Sequence, residues 1–261
     1  MSIAGPPQGA PSIWPAETIW QEVVPFMPGF TVEVLPAIDS TNSELMRRAR
    51  AGQRDPVLLV AEQQTAGRGR LGRNWHSGVT GSLTFSLALP LAPKDWSGLS
   101  LAVGVSVASS LHPALRLKWP NDIWLEDRKL AGILIETASF GESRLAVIGV
   151  GINILAHAGD GLSTAPAYLQ ELLPELDAAT ALSRIVPALV QALLLFEAQG
   201  FGPFQAAFKA RDLLRGRAVV LSDGTSGEAA GVDGTGALLV HTSAGMRAIT
   251  SAEVSVRPVG A

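Results

Sequence analysis

Apolar positions recur at helical spacing from Glu17 to Val24 until Pro25 and Pro28 interrupt them, which predicts one short helix there. Phe30 to Leu35 alternates as a strand does. Asp39-Ser40-Thr41-Asn42-Ser43-Glu44 then opens a helix, with Thr41 and Glu44 at capping-box spacing and Gly52 as its stop. Val57 to Ala61 is an unbroken apolar strand, and Ser82 to Leu89 is strand-like again. Trp96 to Leu115 carries no charge and is long enough to raise a membrane span, but its serines, glycines, His112 and Pro113 mark a core segment with a helix at Ser100 to Leu111. Strands are predicted around Leu115 to Trp119, Ile123 to Leu125, Ala131 to Glu136 and Ala146 to Asn153. Leu182, Ile185, Val186, Leu189, Leu193 and Phe196 follow helical spacing, with Pro187 as a kink, and a second helix runs from Phe204 to Leu214. From Arg217 onward only short alternating strands remain, punctuated by the hairpin signals Asp223-Gly224 and Asp233-Gly234.

This order predicts an α+β fold: a mixed, mostly antiparallel sheet with helices, followed by a small C-terminal β-barrel. Residues 1–30 read as a flexible or partly helical leader, 31–213 as the main domain and 214–261 as the appended one. The chain has 261 residues, 47% of them hydrophobic and 16% charged against a usual ~25%, so a large core is expected and disorder is not. Twenty basic and 23 acidic side chains leave a net charge of -3, which provides no global field for nucleic acid or a membrane surface; any anion site must be local. No cysteine is present, which excludes disulfides, thiolate metal sites and a cysteine nucleophile. With no basic, apolar signal at the N-terminus, a cytoplasmic location is expected.

Gln63 to Pro93 contains Arg68, Arg70 and Arg73 and no acidic residue. Glycines at 67, 69, 72, 78 and 81 permit close backbone approach, and guanidinium forks suit carboxylate and phosphate oxygens, so the segment fits a clamp for a small anion. A basic surface loop has the same composition. GRGRLG also matches the dinucleotide fingerprint, yet no amphipathic helix follows Gly72 and no acidic residue comes before Asp95, which rejects a Rossmann site. In KWPNDIWLEDRKLAGILIE, Lys118 to Glu136, a Pro-Asn-Asp turn and a Glu-Asp-Arg turn bring Asp122 and Lys129 near each other, beside Gly132. That pair could set an ammonium against a carboxylate and a phosphate; spacing alone equally describes a solvated hairpin. GVGIN, Gly149 to Asn153, reads as a strand open to close approach, or as a buried strand with a bulge. Ser40, Thr41 and Asn42 are helix-capping residues whose polar groups could also face a ligand. His76, His112, His157 and His241 show no metal-ligand spacing, and Trp119 and Trp124 read as core anchors.

Together and in this order, Ser40-Thr41-Asn42, EQQTAGRGRLGRNW (Glu62 to Trp75), KWPNDIWLEDRKLAGILIE and GVGIN resemble the biotin protein ligase family. The tail, including Gly231-Val232-Asp233 and Glu253-Val254-Ser255-Val256-Arg257, is similar to that family's SH3-like C-terminal domain. The resemblance implies a class II synthetase-like catalytic fold and two half-reactions. Biotin and Mg-ATP give biotinyl-5′-AMP and pyrophosphate, and a lysine of a biotin carboxyl carrier protein then attacks the mixed anhydride. It further implies that Ser40, Thr41, Asn42 and Gln64 bind the polar ring of biotin, that Arg68, Gly69 and Arg70 fold over its carboxylate, and that Gly132 leaves room for it. Lys129, Arg70 and Asp122 would be catalytic, with Lys129 also touching biotin. Arg70, Arg73, Trp75, Asn121 and Asn153 would touch the nucleotide, and no protein-bound metal is specified beyond Mg²⁺ arriving with ATP. Bifunctional members carry an N-terminal DNA-binding domain, whereas here Met1 to Val34 alone precede the match, so no nucleic-acid partner is expected.

Two rivals stay open. A lipoate or octanoate protein ligase shares the acyl-transfer logic but carries an Arg-Arg-x-Ser-Gly-Gly-type segment or a cysteine, both missing here. A non-catalytic biotin-sensing regulator would not need the complete Arg loop and Lys129. Exposed sheet edges could pair into a homodimer or dock the acceptor.

Overall fold

The structure is a computed structural model that describes residues 14–75, 81–140, 143–156, 166–250 and 256–258. Expectations placed on residues 1–13, His76, Gly78, His157 and Glu253 to Ser255 lie outside the described residues. In chain order the first half forms α1 (Ala16–Val23), β1 (Thr31–Ile38), α2 (Thr41–Arg50), β2 (Val57–Gln64), β3 (Gly67–Arg68), β4 (Asn74–Trp75), β5 (Ser82–Pro90) and α3 (Leu99–Leu111). Then follow β6 (Arg116–Lys118), β7 (Asp122–Leu125), β8 (Arg128–Phe140), β9 (Ser143–Asn153), α4 (Ala178–Gln199) and α5 (Gln205–Arg211). The last strands are β10 (Ala218–Leu221), β11 (Ser226–Val232), β12 (Leu238–Thr242), β13 (Gly245–Ile249) and β14 (Val256–Pro258).

Seven strands make one sheet in the order β1-β2-β5-β9-β8-β7-β6. β1 and β2 run parallel, joined through α2; every other neighbouring pair is antiparallel, as the mostly antiparallel expectation required. Side chains along a strand point to opposite faces in turn, so the sheet builds two cores. Val57 and Leu59 of β2 pack with Leu45, Met46 and Ala49 of α2, while Leu58 and Val60 join the larger core with α3 and α4. Both faces of β2 are therefore covered, which is why Val57 to Ala61 is apolar without alternation.

The uncharged stretch after Trp96 becomes α3, whose small apolar residues are buried nearly all round against α4. Helix α4 has the length and composition to cross a bilayer, but Leu182, Ile185, Val186, Leu189, Leu193 and Phe196 are at most 1% exposed and pack in the main core. It runs without interruption through Pro187. The missing N–H and ring clash cost a helix about 3 kcal/mol, which the burial of this apolar stripe outweighs. Residues 16–30, read from the sequence as leader, also join this core through Ile19, Val23, Met27 and Phe30.

Two boundaries differ from expectation. The helix predicted from Phe204 to Leu214 starts as a 3-10 turn and ends at Arg211, because Asp212 takes an extended backbone and pairs with Leu117 at the end of the large sheet. In the C-terminal sheet, antiparallel in the order β13-β12-β11-β10-β14, the turn after β11 spans Asp233 to Ala237. Its positive φ falls on Gly236, not on Gly234, since Asp233 folds back to accept from the N–H groups of Thr235 and Ala237. That turn is also where the two sheets meet. The buried Trp119 Nε1 donates to Gly236 O at 3.1 Å, and Val219, Leu221, Leu238 and Val240 extend the main core into the small domain.

Asp212 sits at this junction. Its Oδ1 accepts from the Leu214 N–H, whereas Oδ2 is buried and makes no hydrogen bond. Burial raises its pKa above the ordinary 3.8 against the opposing pull of the Leu214 and Arg215 N–H groups. A carboxyl whose folded pKa is raised favours the fold while protonated and weakens it as pH climbs from the unfolded pKa through the folded one. Asp212→Asn is therefore expected to unfold at a higher urea concentration than the parent at pH 7, with the difference vanishing near pH 3.

Candidate active site

The first half of the site is made by the start of α2. Ser40 is the N-cap, with extended φ of -159°, and its Oγ accepts from the Ser43 N–H at 3.4 Å. The capping box expected between Thr41 and Glu44 does not form. The cap lies one residue earlier, and Glu44 is drawn instead to the guanidinium groups of Arg47 and Arg48, at 2.7 and 2.8 Å. Arg47 also grips Asp39 with two bonds of 2.7 and 2.9 Å and holds its carboxyl at a pKa of about 2, which anchors the chain just before the cap. Thr41 and Asn42 occupy the first turn, each 3% exposed, at the head of a cavity of about 210 Å³.

Four elements converge on these two residues. Gln64, at the end of β2, accepts from the Thr41 N–H at 2.7 Å. Ser86 of β5 lies 2.7 Å from Thr41 Oγ1 and donates to Asn42 Oδ1 at 2.6 Å. Asn42 Nδ2 donates to Glu136 Oε2 of β8 at 3.0 Å and to Leu134 O at 3.3 Å. From β9, Gly149 contributes space, since a Cβ there would lie 2.2 Å from Asn42 Oδ1.

The glycine- and arginine-rich segment folds as a small hairpin, β3 with β4, closed by the Gly69 N–H to Arg73 O bond and by positive φ at Leu71 and Gly72. No helix follows Gly72; strand β4 does. Arg68 reaches Glu136 Oε1 at 3.3 Å and Ser43 Oγ at 3.2 Å, and Arg70 donates to Asn121 Oδ1 at 3.2 Å. The hairpin thus spans the cavity from the α2 end to the β7 end. Burial pulls the Arg70 guanidinium below its usual pKa, and nearby Arg73 pulls the same way, with the Asp122 carboxylate opposing both. An anion entering here would relieve that repulsion.

At the far end, positive φ at Glu126 and Asp127 makes the tight turn between β7 and β8, and a register shift after Ile123 brings Lys129 back over the hairpin. Lys129 Nζ sits 2.8 Å from Asp122 Oδ1, so the two turns bring the pair together as expected, with the Lys129 side chain still partly in solvent. Trp75 closes the wall. Its indole lies where a Gly151 Cβ would be, 2.4 Å away, and Lys129 Nζ stands 5.9 Å from its ring. The space beside Gly132 is taken by the Lys129 ammonium, 3.1 Å from a Cβ there. GVGIN carries no bulge: its pairing with β5 and β8 is continuous, and its glycines admit Asn42 and Trp75.

Of the residues singled out by sequence, Ser40, Thr41, Asn42, Gln64, Arg68, Gly69, Arg70, Arg73, Trp75, Asn121, Asp122, Lys129 and Gly132 all line this one cavity. Asn153 is not among its lining residues; its amide reaches the backbone of Lys129 at 3.4 Å and Ala167 at 3.3 Å. Sequence reasoning passed over Ser86, Glu136 and Lys118. Ser82, Thr84 and Ser86, polar at every second position of a buried strand, were the legible signal for an inward polar face. Lys118, 4.7 Å from the Trp124 ring, adds a further cation to the lining. At one end the cavity is hydrogen-bonding and without net charge, since Arg68 there is paired with Glu136. At the other, Arg70, Arg73, Lys118 and Lys129 are set against the carboxylate of Asp122. Such a site holds a neutral polar group and a polyanion side by side and lowers the repulsion between two anions brought together. Among the described residues no cluster of three or more His, Asp or Glu could hold a metal.

Comparison with known proteins agrees with this geometry. The profile of the biotin/lipoate A/B protein ligase family matches residues 34–153, and that of the biotin protein ligase C-terminal domain matches residues 216–257. The bifunctional ligase/repressor BirA of Escherichia coli is 35% identical over 249 residues, 91% of this chain and 77% of the relative. The biotin--[acetyl-CoA-carboxylase] ligase of Paracoccus denitrificans is 32% identical over 240 residues, 85% of this chain and 98% of the relative. Among solved structures, biotin protein ligase from Aquifex aeolicus in complex with biotin and ATP superposes with a TM-score of 0.74 at 29% identity, covering 87% of this chain and 98% of that one.

The glycine contacts yield a direct test. Gly149→Ala forces Asn42 or the sheet to move and is expected to lose about 1–3 kcal/mol of stability in urea unfolding. Gly202→Ala, with nothing within 4 Å, serves as the control that stays close to the parent.

Proposed function

The chain belongs to the biotin protein ligase family, and on that premise we propose a residue-level course for its ATP-dependent biotin ligation. One observation carries it: within a single cavity, the hydrogen-bonding end at Ser40, Thr41 and Gln64 faces a cationic end built on the Lys129–Asp122 pair. Biotin places its ureido ring at the neutral end and its carboxylate toward Lys129 and Arg70. The triphosphate of Mg-ATP takes the cationic end, where Arg73 and Lys118 add charge. Mg²⁺ would arrive with the nucleotide and offset phosphate charge, and Asp122 would be the carboxylate nearest to it at this end of the cavity.

In the first step a biotin carboxylate oxygen attacks the α-phosphorus, the α–β bridging bond breaks and pyrophosphate leaves. Both reactants are anions, so fixed cations do most of the work: Lys129 and Arg70 offset the charge that gathers on the α-phosphoryl oxygens. In the second step the amine of an acceptor lysine attacks the anhydride carbonyl, loses its proton and expels AMP. Asp122 orients that amine. The acceptor is a biotin carboxyl carrier domain, and residues 31–213 are the catalytic unit, with 214–261 appended. ATP as co-substrate and a chain without cysteine suit the cytoplasm. A lipoyl substrate is disfavoured by the hydrogen-bonding end, because a dithiolane has neither the N–H groups nor the carbonyl oxygen that the hydroxyl and amide groups gathered there can meet.

Intact-mass measurement of an apo carrier domain incubated with the protein, Mg-ATP and equal biotin and lipoate is expected to show a biotin-sized increase that disappears when the target lysine is changed. A lipoyl increase would transfer the reading to the lipoate ligases. Lys129→Ala is expected to lower pyrophosphate release by about 10²-fold or more, as removal of one transition-state charge contact does. Arg70→Gly opens the hairpin over the adenylate and is expected to biotinylate bystander lysines; unchanged acceptor selectivity would remove the hairpin from that role.

A further inference from the structure

We propose that Ser86 and Glu136 are positioning residues that set the direction of the side-chain hydrogen bonds linking Asn42 to Thr41, so that Thr41 meets the ligand as an acceptor. The inference rests on the ligase reading and deepens it, since it states which hydrogen-bonding groups the substrate must present.

The direction follows from proton counting. A carboxylate and a main-chain carbonyl only accept, so Glu136 Oε2 and Leu134 O both demand the Nδ2 end of Asn42. The amide is thereby turned one way, with Oδ1 facing Ser86. Oδ1 carries no hydrogen, so the 2.6 Å contact uses the single proton of Ser86. Ser86 Oγ then has only lone pairs for Thr41 Oγ1, and the 2.7 Å contact between them uses the Thr41 proton. Gln64 Oε1, which has a second lone pair beside the one that takes the Thr41 N–H, lies 3.1 Å from Thr41 Oγ1 and is the other acceptor for the same proton, so that proton is spent inside the protein with either partner. What Thr41 keeps for the cavity is a lone pair.

Ser40 has the opposite polarity. Its Oγ accepts from the Ser43 N–H, which leaves its proton for a ligand. A donor at residue 40 beside an acceptor at residue 41 matches a cyclic urea, in which a carbonyl oxygen is flanked by N–H groups. Arg68 holds the far carboxylate oxygen of Glu136 at 3.3 Å, so the chain of bonds is braced at its origin by the same hairpin that covers the cavity. Ser86 is 0% exposed and Thr41 and Asn42 each 3%, so the inner bonds of the relay are shielded from the water that would otherwise let each hydroxyl choose its own partner.

The test uses biotin and its two cyclic carbamates, in each of which one ureido N–H is replaced by oxygen, with pyrophosphate release as the readout. For the parent enzyme, the carbamate whose oxygen faces Thr41 sets acceptor against acceptor and is expected to raise KM about tenfold or more. In Ser86→Ala the Thr41 proton loses the shorter of its two acceptors, keeps only Gln64 Oε1 at 3.1 Å, and can turn toward that oxygen. KM for biotin should rise about tenfold, kcat should stay within about threefold, and the penalty for that carbamate should largely disappear. Glu136→Gln, which leaves Ser86 in place, should shift the same ratio in the same direction by less. A biotin-to-carbamate ratio unchanged in both variants, or a loss confined to kcat, overturns the relay and leaves the ligase reading intact. A parent enzyme that releases no pyrophosphate with biotin, or that prefers lipoate, overturns the ligase reading and the relay with it.

Discussion

Helix α2 can rest its first turn on the large sheet because β9 has no side chain at residue 149. The Asn42 carboxamide oxygen occupies the volume that any Cβ would fill. From that close approach follow the reach of Asn42 to β8, the reach of Thr41 to β5 and β2, and the burial that makes each of those bonds count. A buried polar group left without a partner costs about 1–3 kcal/mol, so a turn bearing several such groups is stable only where the sheet answers each of them. Asp39 and Arg47 outside the turn, both well exposed, contribute orientation more than energy.

The second organising feature is Trp75. Its indole fills the gap over Gly151 and stands beside Lys129, so the arginine hairpin is fastened to the sheet by a large apolar ring while its guanidinium groups remain over the cavity. Arg68 and Arg70 tie the hairpin to opposite ends of the site through Glu136 and Asn121. A chain with a net charge of -3 can hold a polyanion because its cations are gathered locally, with burial of Arg70 strengthening their effect.

The smaller sheet is tied into the same framework. Trp119, next to the Asn121–Asp122 turn, donates to Gly236 of the C-terminal sheet, and Arg217 grips Asp127 in the turn that delivers Lys129. The Asp122–Lys129 pair is therefore held between the two sheets through short, direct contacts. Removing or loosening the small sheet would act on the Asp122–Lys129 geometry through those contacts.

Much of this was readable from local pattern. Strand and helix positions followed from hydrophobic period, the two β7–β8 turn residues from their polarity, and the four functional segments from residue types in order, because each depends on neighbours in the chain. What the chain could not show were juxtapositions between distant segments. That Ser86 serves residues 41 and 42, that Glu136 orients Asn42 and that Gly149 and Gly151 make room for protein side chains instead of a ligand are facts of strand order and register. The end of α5 at Arg211 also depends on a partner far away in sequence, the edge of the large sheet. Local sequence thus determined which groups were available for chemistry. Only the packed sheet decided which of them share a proton, because a hydrogen bond depends on tenths of an ångström and on direction, and neither is set until both strands are in place.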